Sequence, residues 1–181
     1  PPDLAGQRMT IIGLGAIGSE VARIASAIGL QVTGVRRSPR RDGDPVEVIV
    51  PPSSLPAIVP ETDWLVVACP LTEETRGLVG RDLLGRLKPG AKVINIGRGE
   101  VIDEPALIDA LRSGQVGGAY LDVVSQEPLP PESPLWDLQN VIISPHNSAV
   151  AQGNEGRATE YFLENLRRLA KGQELVNEVA K

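Results

Sequence analysis

Cysteine and histidine each occur once in this chain, at Cys69 and His146, and only two tryptophans, two tyrosines and one phenylalanine accompany them. One cysteine excludes an internal disulfide and suits a reducing compartment, so a cytoplasmic protein is expected. One histidine means that any proton transfer near neutral pH that needs an imidazole must use His146. Aromatics at 3% offer no stacking platform for bases, and a net charge of −5 makes nucleic acid or an anionic membrane a poor partner. No apolar run approaches the ~20 residues that span a bilayer, and no charged-then-apolar leader opens the chain. It opens Pro1-Pro2-Asp3 without methionine, so a processed or trimmed product is expected.

What remains is rich in Gly, Ala, Val, Ile and Leu, with 41% apolar residues in 181, enough for one buried core. Strand-like runs lie at Met9–Leu14, Gln31–Val35, Trp64–Ala68, Lys92–Ile96, Gly118–Val123 and Asn140–Ser144. Helical segments are expected near Ala16–Ile28, Ser54–Val59, Arg81–Leu87, Glu104–Arg112 and Gly153–Lys171. Gly29, Gly90 and Gly114 fall just after three of these, where a helix C-cap favours glycine. Continuous Val/Ile runs alternating with helices mark a parallel sheet covered on both faces, a doubly wound α/β domain. Pro51-Pro52 and the stretch from Glu127 to Pro134 read as loops, and no internal repeat is visible.

Gly13-Leu14-Gly15-Ala16-Ile17-Gly18 follows the first strand directly and opens a helix, the context the dinucleotide fingerprint demands. Gly13 permits the tight turn, Gly15 lets the backbone approach a pyrophosphate, and Gly18 lets the helix pack on the strand. The helix N-terminus then supplies N–H donors and the positive end of its dipole. After the second strand, an NAD site usually carries an acid that binds the ribose hydroxyls. Here Arg36-Arg37-Ser38 stand in that place, and no acid appears before Asp42. Two guanidiniums and a hydroxyl suit a 2′-phosphate, so NADP(H) is favoured over NAD(H). A solvated arginine loop, or a basic patch for nucleic acid, is the plainer alternative, and its place after this strand in an acidic chain opposes the latter.

Three polar side chains end later strands: Arg98 in Asn95-Ile96-Gly97-Arg98-Gly99, Glu127 in Ser125-Gln126-Glu127-Pro128, and His146 in Ser144-Pro145-His146. In open α/β sheets ligands bind beyond the carboxyl ends of the strands. A cation, a carboxylate and an imidazole gathered at that edge can hold an acid substrate and move a proton.

These motifs, with Cys69-Pro70-Leu71-Thr72, Val101-Ile102-Asp103-Glu104 and Leu121-Asp122-Val123, resemble the D-isomer-specific 2-hydroxyacid dehydrogenase family along nearly the whole chain. The Arg36-Arg37-Ser38 segment is similar to its NADPH-using glyoxylate/hydroxypyruvate reductase branch. The resemblance implies that Arg98 binds the substrate carboxylate and polarises its carbonyl, and that His146 protonates the C2 oxygen as hydride arrives. It implies that Glu127 orients His146 and stabilises its imidazolium form, and that Asp122 meets the nicotinamide carboxamide. Ala16 and Ile17 would give backbone donors to the pyrophosphate. Cys69, Ile96 and Gly97, with Arg98 and His146, would also line the cofactor groove, and Asn147, Ser148 and Ala149 would extend that lining. Asn147-Ser148 is an unusual continuation after the histidine.

Members of this family carry a substrate domain built mainly from residues before the fingerprint, which begins here at residue 13. Residues 1–171 are therefore expected to form a dinucleotide-binding domain, with the substrate domain largely missing and a tail at 172–181 packing on it. The resemblance implies a homodimeric oxidoreductase acting on a small 2-oxoacid or 2-hydroxyacid, with no metal. A dinucleotide-sensing corepressor of the same family is the second reading, and another Rossmann protein, such as a methyltransferase, the third.

Overall fold

The computed structural model describes residues 3–178, and the strands outnumber the expected six by one. They are β1 (Arg8–Ile12), β2 (Gln31–Val35), β3 (Val48–Val50), β4 (Trp64–Val67), β5 (Ala91–Asn95), β6 (Val116–Leu121) and β7 (Val141–Ile143). All pair in parallel, in the order β3-β2-β1-β4-β5-β6-β7. The order reverses between β1 and β4, which opens a crevice at their carboxyl ends. The helices are α1 (Ala16–Ala27), α2 (Leu55–Ile58), α3 (Arg81–Arg86), α4 (Glu104–Ser113) and α5 (Asn154–Ala170).

Strands buried on both faces need apolar residues at successive positions. Ile11 and Ile12 on β1, and Leu65, Val66 and Val67 on β4, are all buried and alternate between two clusters. One cluster gathers Ile11 and Val66 with Ala22 and Ala25 of α1. The other gathers Ile12, Leu65 and Val67 with Leu55 of α2, Leu84 of α3 and Leu107 and Leu111 of α4. Capping follows the local chemistry: Asp103 accepts from the Ala106 N–H at 3.1 Å to start α4, and Gly114 ends it at φ +77°.

Three local expectations are corrected. Val48–Val50 is an edge strand paired with β2, which the adjoining Pro51-Pro52 hid within a loop. The helix expected at Ser54–Val59 is one α-turn between two 3₁₀ turns, Pro52–Ser54 and Val59–Glu61, because Pro52, Pro56 and Pro60 interrupt any continuous hydrogen-bond ladder. Gly90 does not cap α3, whose cap is Leu87; it sits at φ +81° in the turn entering β5.

The chain divides into two compact units, one running to His146 and the other beginning at Asn147. The second unit consists of α5 and the turns after it, where Asn165 bonds the Val176 N–H at 2.8 Å and the Val176 carbonyl at 3.1 Å. Residues 172–178 add no strand, and residues 179–181 of the expected tail lie outside the described residues. Among the described residues no helix is long and apolar enough to cross a membrane, and no group of three or more acidic, cysteine or histidine side chains could hold a metal.

Candidate functional site

Glycines shape the crevice where β1 meets α1. Gly13 has φ +99°, and a β-carbon there would lie 2.7 Å from the Cys69 backbone. A β-carbon on Gly18 would collide with the Gly13 carbonyl oxygen, so α1 could not approach the turn. At Gly15 a β-carbon would meet nothing within 4 Å, leaving its backbone facing open space. Gly15 caps α1 without a side-chain hydrogen bond, and no acid occupies the first turn. The amides of Ala16 and Ile17 thus start a helix that suits a diphosphate.

Beyond β2 the expected arginine pair separates into two different environments. Arg36 lies largely buried and turns inward, against expectation. Its Nη1 and Nη2 meet both carboxylate oxygens of Asp44 at 2.6 and 2.5 Å, while Nε and Nη2 donate to the carbonyls of Ser38 and Pro39. Arg37 is exposed and makes no hydrogen bond or ion pair. It borders a small cleft with Gly13, Val35, Cys69 and Glu74. The Glu74 carboxyl is held below its ordinary range, chiefly by the Thr72 hydroxyl, with the Arg37 charge contributing. Ser38 is half-buried beside them.

At the end of β5, buried Asn95 holds the next turn: Oδ1 accepts from the Gly97 N–H at 3.1 Å and Nδ2 donates to the Arg98 carbonyl at 3.0 Å. Gly97 is buried, and a β-carbon on it would lie 2.7 Å from the Cys69 carbonyl oxygen. Ile96 is half-buried, and Cys69 is buried, which pushes its thiol pKa up. Arg98 is exposed and donates to its own Gly97 carbonyl at 2.7 Å. It lies at the same sheet edge as Glu127 and His146 without a hydrogen bond to either.

Those two are joined. His146 Nδ1 lies 2.7 Å from Glu127 Oε2, while Glu127 Oε1 accepts from the Val124 N–H at 3.2 Å. Both side chains are partly exposed, and with Asp122, Leu129, Trp136 and Ser144 they border a cleft of about 520 Å³. His146 has φ +50°, a backbone conformation that a β-carbon disfavours and that recurs at functional positions. Asp122, 2% exposed, accepts from the Ser144 hydroxyl at 2.5 Å. Asn147, Ser148 and Ala149 open the second unit; within it the Asn147 carbonyl accepts from the Val150 N–H at 2.8 Å.

Sequence reading did not single out Asn95, Ser144 or Asp44, although each bonds a residue it did, nor Tyr120, which bonds Ser144. Asn95 was within reach, since an Asn at a strand end commonly bonds the backbone two residues on. The others act through spacing that only the folded loops define.

Residues 1–148 match the model for the NAD-binding domain of D-isomer specific 2-hydroxyacid dehydrogenases. A glyoxylate reductase of Korarchaeum cryptofilum is 37% identical over 179 residues, which are 97% of this chain and 54% of that protein. A D-isomer specific 2-hydroxyacid dehydrogenase of Xanthobacter autotrophicus Py2, solved with NADPH and MES, superposes with a TM-score of 0.90 at 39% identity, covering 99% of this chain and 73% of that one. An NADPH-dependent glyoxylate/hydroxypyruvate reductase of Sinorhizobium meliloti, solved with NADP and sulfate, gives 0.88 at 34% identity, covering 98% and 57%. The chain spans about half the length of the curated relatives it matches. It belongs to the D-isomer-specific 2-hydroxyacid dehydrogenase family and carries that family's NAD-binding domain.

Proposed function

We propose that this chain is the cofactor-binding part of an NADP(H)-dependent reductase that interconverts a small 2-oxoacid, such as glyoxylate or hydroxypyruvate, and the matching 2-hydroxyacid. The observation that carries it is the 2.7 Å pairing of His146 with Glu127 at the sheet edge beyond a glycine cradle. The relatives' names favour turnover over dinucleotide sensing without it. Residues 1–171 serve as the dinucleotide-binding domain and 172–181 as a tail against the substrate domain, in a cytoplasmic homodimer.

The glycine turn fits a dinucleotide, since β-carbons at Gly13 and Gly18 would fill the space the turn needs. Gly13, Gly15 and Gly18 would cradle the diphosphate, with Ala16 and Ile17 donating to it. Arg37 and Ser38 would face the ribose 2′-phosphate, and Asp122 the carboxamide. Cys69, Ile96 and Gly97 would line the groove. When bound, NADPH supplies the hydride. Arg98 holds the substrate carboxylate with a planar fork. Glu127 occupies His146 Nδ1, so Nε2 is the nitrogen that delivers a proton to the C2 oxygen as the carbonyl carbon is reduced; in oxidation it takes that proton back. The carboxylate also compensates the imidazolium present before transfer.

Calorimetry on the 181-residue chain tests the cofactor part: NADPH is expected to bind more tightly than NADH, and equal or reversed affinities overturn it. The chain alone is expected to turn over glyoxylate or hydroxypyruvate far below the ~10 per second typical of enzymes. The full-length protein is expected to reduce both, and failure on all small 2-oxoacids overturns the reductase reading.

A further inference from the structure

We propose that Asp44 is a positioning residue for cofactor selection: it holds Arg36 as an internal strut, so that Arg37 is the guanidinium that meets the 2′-phosphate. This inference rests on the NADP(H) reading above and divides the arginine pair into two jobs.

Arg36 and Asp44 side chains are only 14% and 10% exposed, and their contact is bidentate. A guanidinium has five N–H donors. Four of those on Arg36 are engaged by Asp44, Ser38 and Pro39. Its main-chain N–H also bonds the Val50 carbonyl at 3.1 Å, which anchors it to the last pairing of β2 with β3. A phosphate could take more than the one remaining N–H of Arg36 only by displacing a carboxylate already in fork geometry and leaving that carboxylate without its cation in a half-buried place.

Asp44 closes the loop from its far end. Its Oδ2 accepts the Arg41 N–H at 2.6 Å, and its own N–H bonds the Arg41 carbonyl at 3.2 Å, around Gly43 at φ +87°. One carboxylate thereby ties residues 36, 41 and 44 together. The same pairing neutralises an acid that would otherwise repel a phosphate from this loop. Arg37, exposed and unpaired, borders the cleft that Gly13 and Cys69 also border. The loop thus turns one arginine into scaffold and leaves the next as ligand.

The test uses this 181-residue chain and four probes in calorimetry: NADPH, NADH, adenosine 2′,5′-bisphosphate and AMP. Wild type is expected to prefer the 2′-phosphorylated member of each pair. Arg37→Ala is expected to remove that preference, by about 10–100-fold, the weight of one charge-assisted contact. Asp44→Asn is expected to cut the preference by about tenfold or more, with NADH and AMP unchanged. A merely structural defect would weaken all four probes alike, which overturns the positioning role. So does an unchanged or raised NADPH affinity in Asp44→Asn, because a freed Arg36 would then be the ligand. Arg36→Lys keeps the cation but cannot bridge Asp44 and two carbonyls; it is expected to lose preference as Asp44→Asn does. Retained preference in that variant overturns the strut role even if Asp44→Asn does not fold. If wild type prefers NADPH and Arg37→Ala abolishes this while Asp44→Asn does not, the positioning role falls and the cofactor reading stands. If wild type shows no preference, both fall.

Discussion

Ser144 Oγ donates to Asp122 Oδ1 over 2.5 Å, linking the residue after β7 to the residue after β6. A hydroxyl carries one proton, so Ser144 must accept from the Tyr120 hydroxyl, which lies 2.9 Å away. The chain of donors runs from Tyr120 through Ser144 to a carboxylate that is 2% exposed. Ser144→Ala is expected to destabilise the fold by about 1–3 kcal/mol, the weight of a hydrogen bond to a charged group. It is also expected to weaken NADPH binding several-fold, because Asp122, proposed to meet the carboxamide, loses its bond from Ser144. Tyr120→Phe is expected to do less, since Ser144 can still donate to Asp122. Thermal melts and calorimetry on both variants check this; a larger effect from Tyr120→Phe would reverse the direction of the relay.

The His146–Glu127 pair makes a kinetic prediction for the full-length protein. His146→Ala is expected to lower kcat by about 10²–10⁴-fold, the range for a lost general acid or base. NADPH affinity is expected to stay nearly unchanged, because the role proposed for the imidazole is toward the substrate. Glu127→Ala removes the acceptor at Nδ1 and leaves the Val124 N–H without its partner. Its kcat is expected to fall with a milder loss than that of His146→Ala. Equal NADPH weakening and kcat loss in His146→Ala would move His146 from proton transfer to cofactor binding.

The sheet was legible because continuous apolar runs such as Ile11-Ile12 and Leu65-Val66-Val67 need two covered faces, and a residue-by-residue pattern carries that requirement. Gly13, Gly15 and Gly18 were legible for a similar reason, since spacing alone describes a tight turn into a helix. Val48–Val50 was not, because a three-residue edge strand is made by pairing with Thr33, Gly34 and Val35 rather than by its own pattern. Glu127 and His146 could be placed at one edge from their positions after adjacent strands, and their contact needed the folded loop. Arg36 and Arg37 look alike in sequence. Only the return of Asp44, eight positions after Arg36, tells them apart.

Gly99 couples the β5 and β6 ends. A β-carbon there would collide with the Val124 carbonyl group and the Ser125 nitrogen. That segment cannot simply withdraw, because the Ser125 N–H bonds Glu104 at 2.9 Å and the Val124 N–H bonds Glu127 at 3.2 Å. Gly99→Ala is expected to cost about 1–3 kcal/mol, as overpacking does. Denaturant melts read that cost. The displaced Val124 is expected to misplace Glu127, so turnover of the full-length variant should fall while its NADPH affinity changes little. Full stability with full turnover would show that the loop yields freely.

Asp63 ties the opposite edge of the sheet. Its Oδ2 accepts the Arg8 N–H at 2.9 Å and its Oδ1 the Lys88 ammonium at 2.6 Å, while its backbone bonds Arg8 and Lys92. Burial pushes the carboxyl pKa up, but the Arg8 N–H and Lys88 outweigh it and hold the folded value below the ordinary range. A depressed folded value means that the ionised form stabilises the native state. That contribution is full above the unfolded value of about 3.9 and is lost as pH falls through the folded value. Asp63→Asn is expected to cost about 1–2 kcal/mol at neutral pH. Lys88 accounts for a small share, since its side chain is 53% exposed and screened by water. Urea melts at pH 7 and in steps below pH 4 check the sign: the gap between wild type and Asp63→Asn should close as the pH drops. A gap that stays constant would assign the cost to packing instead of charge.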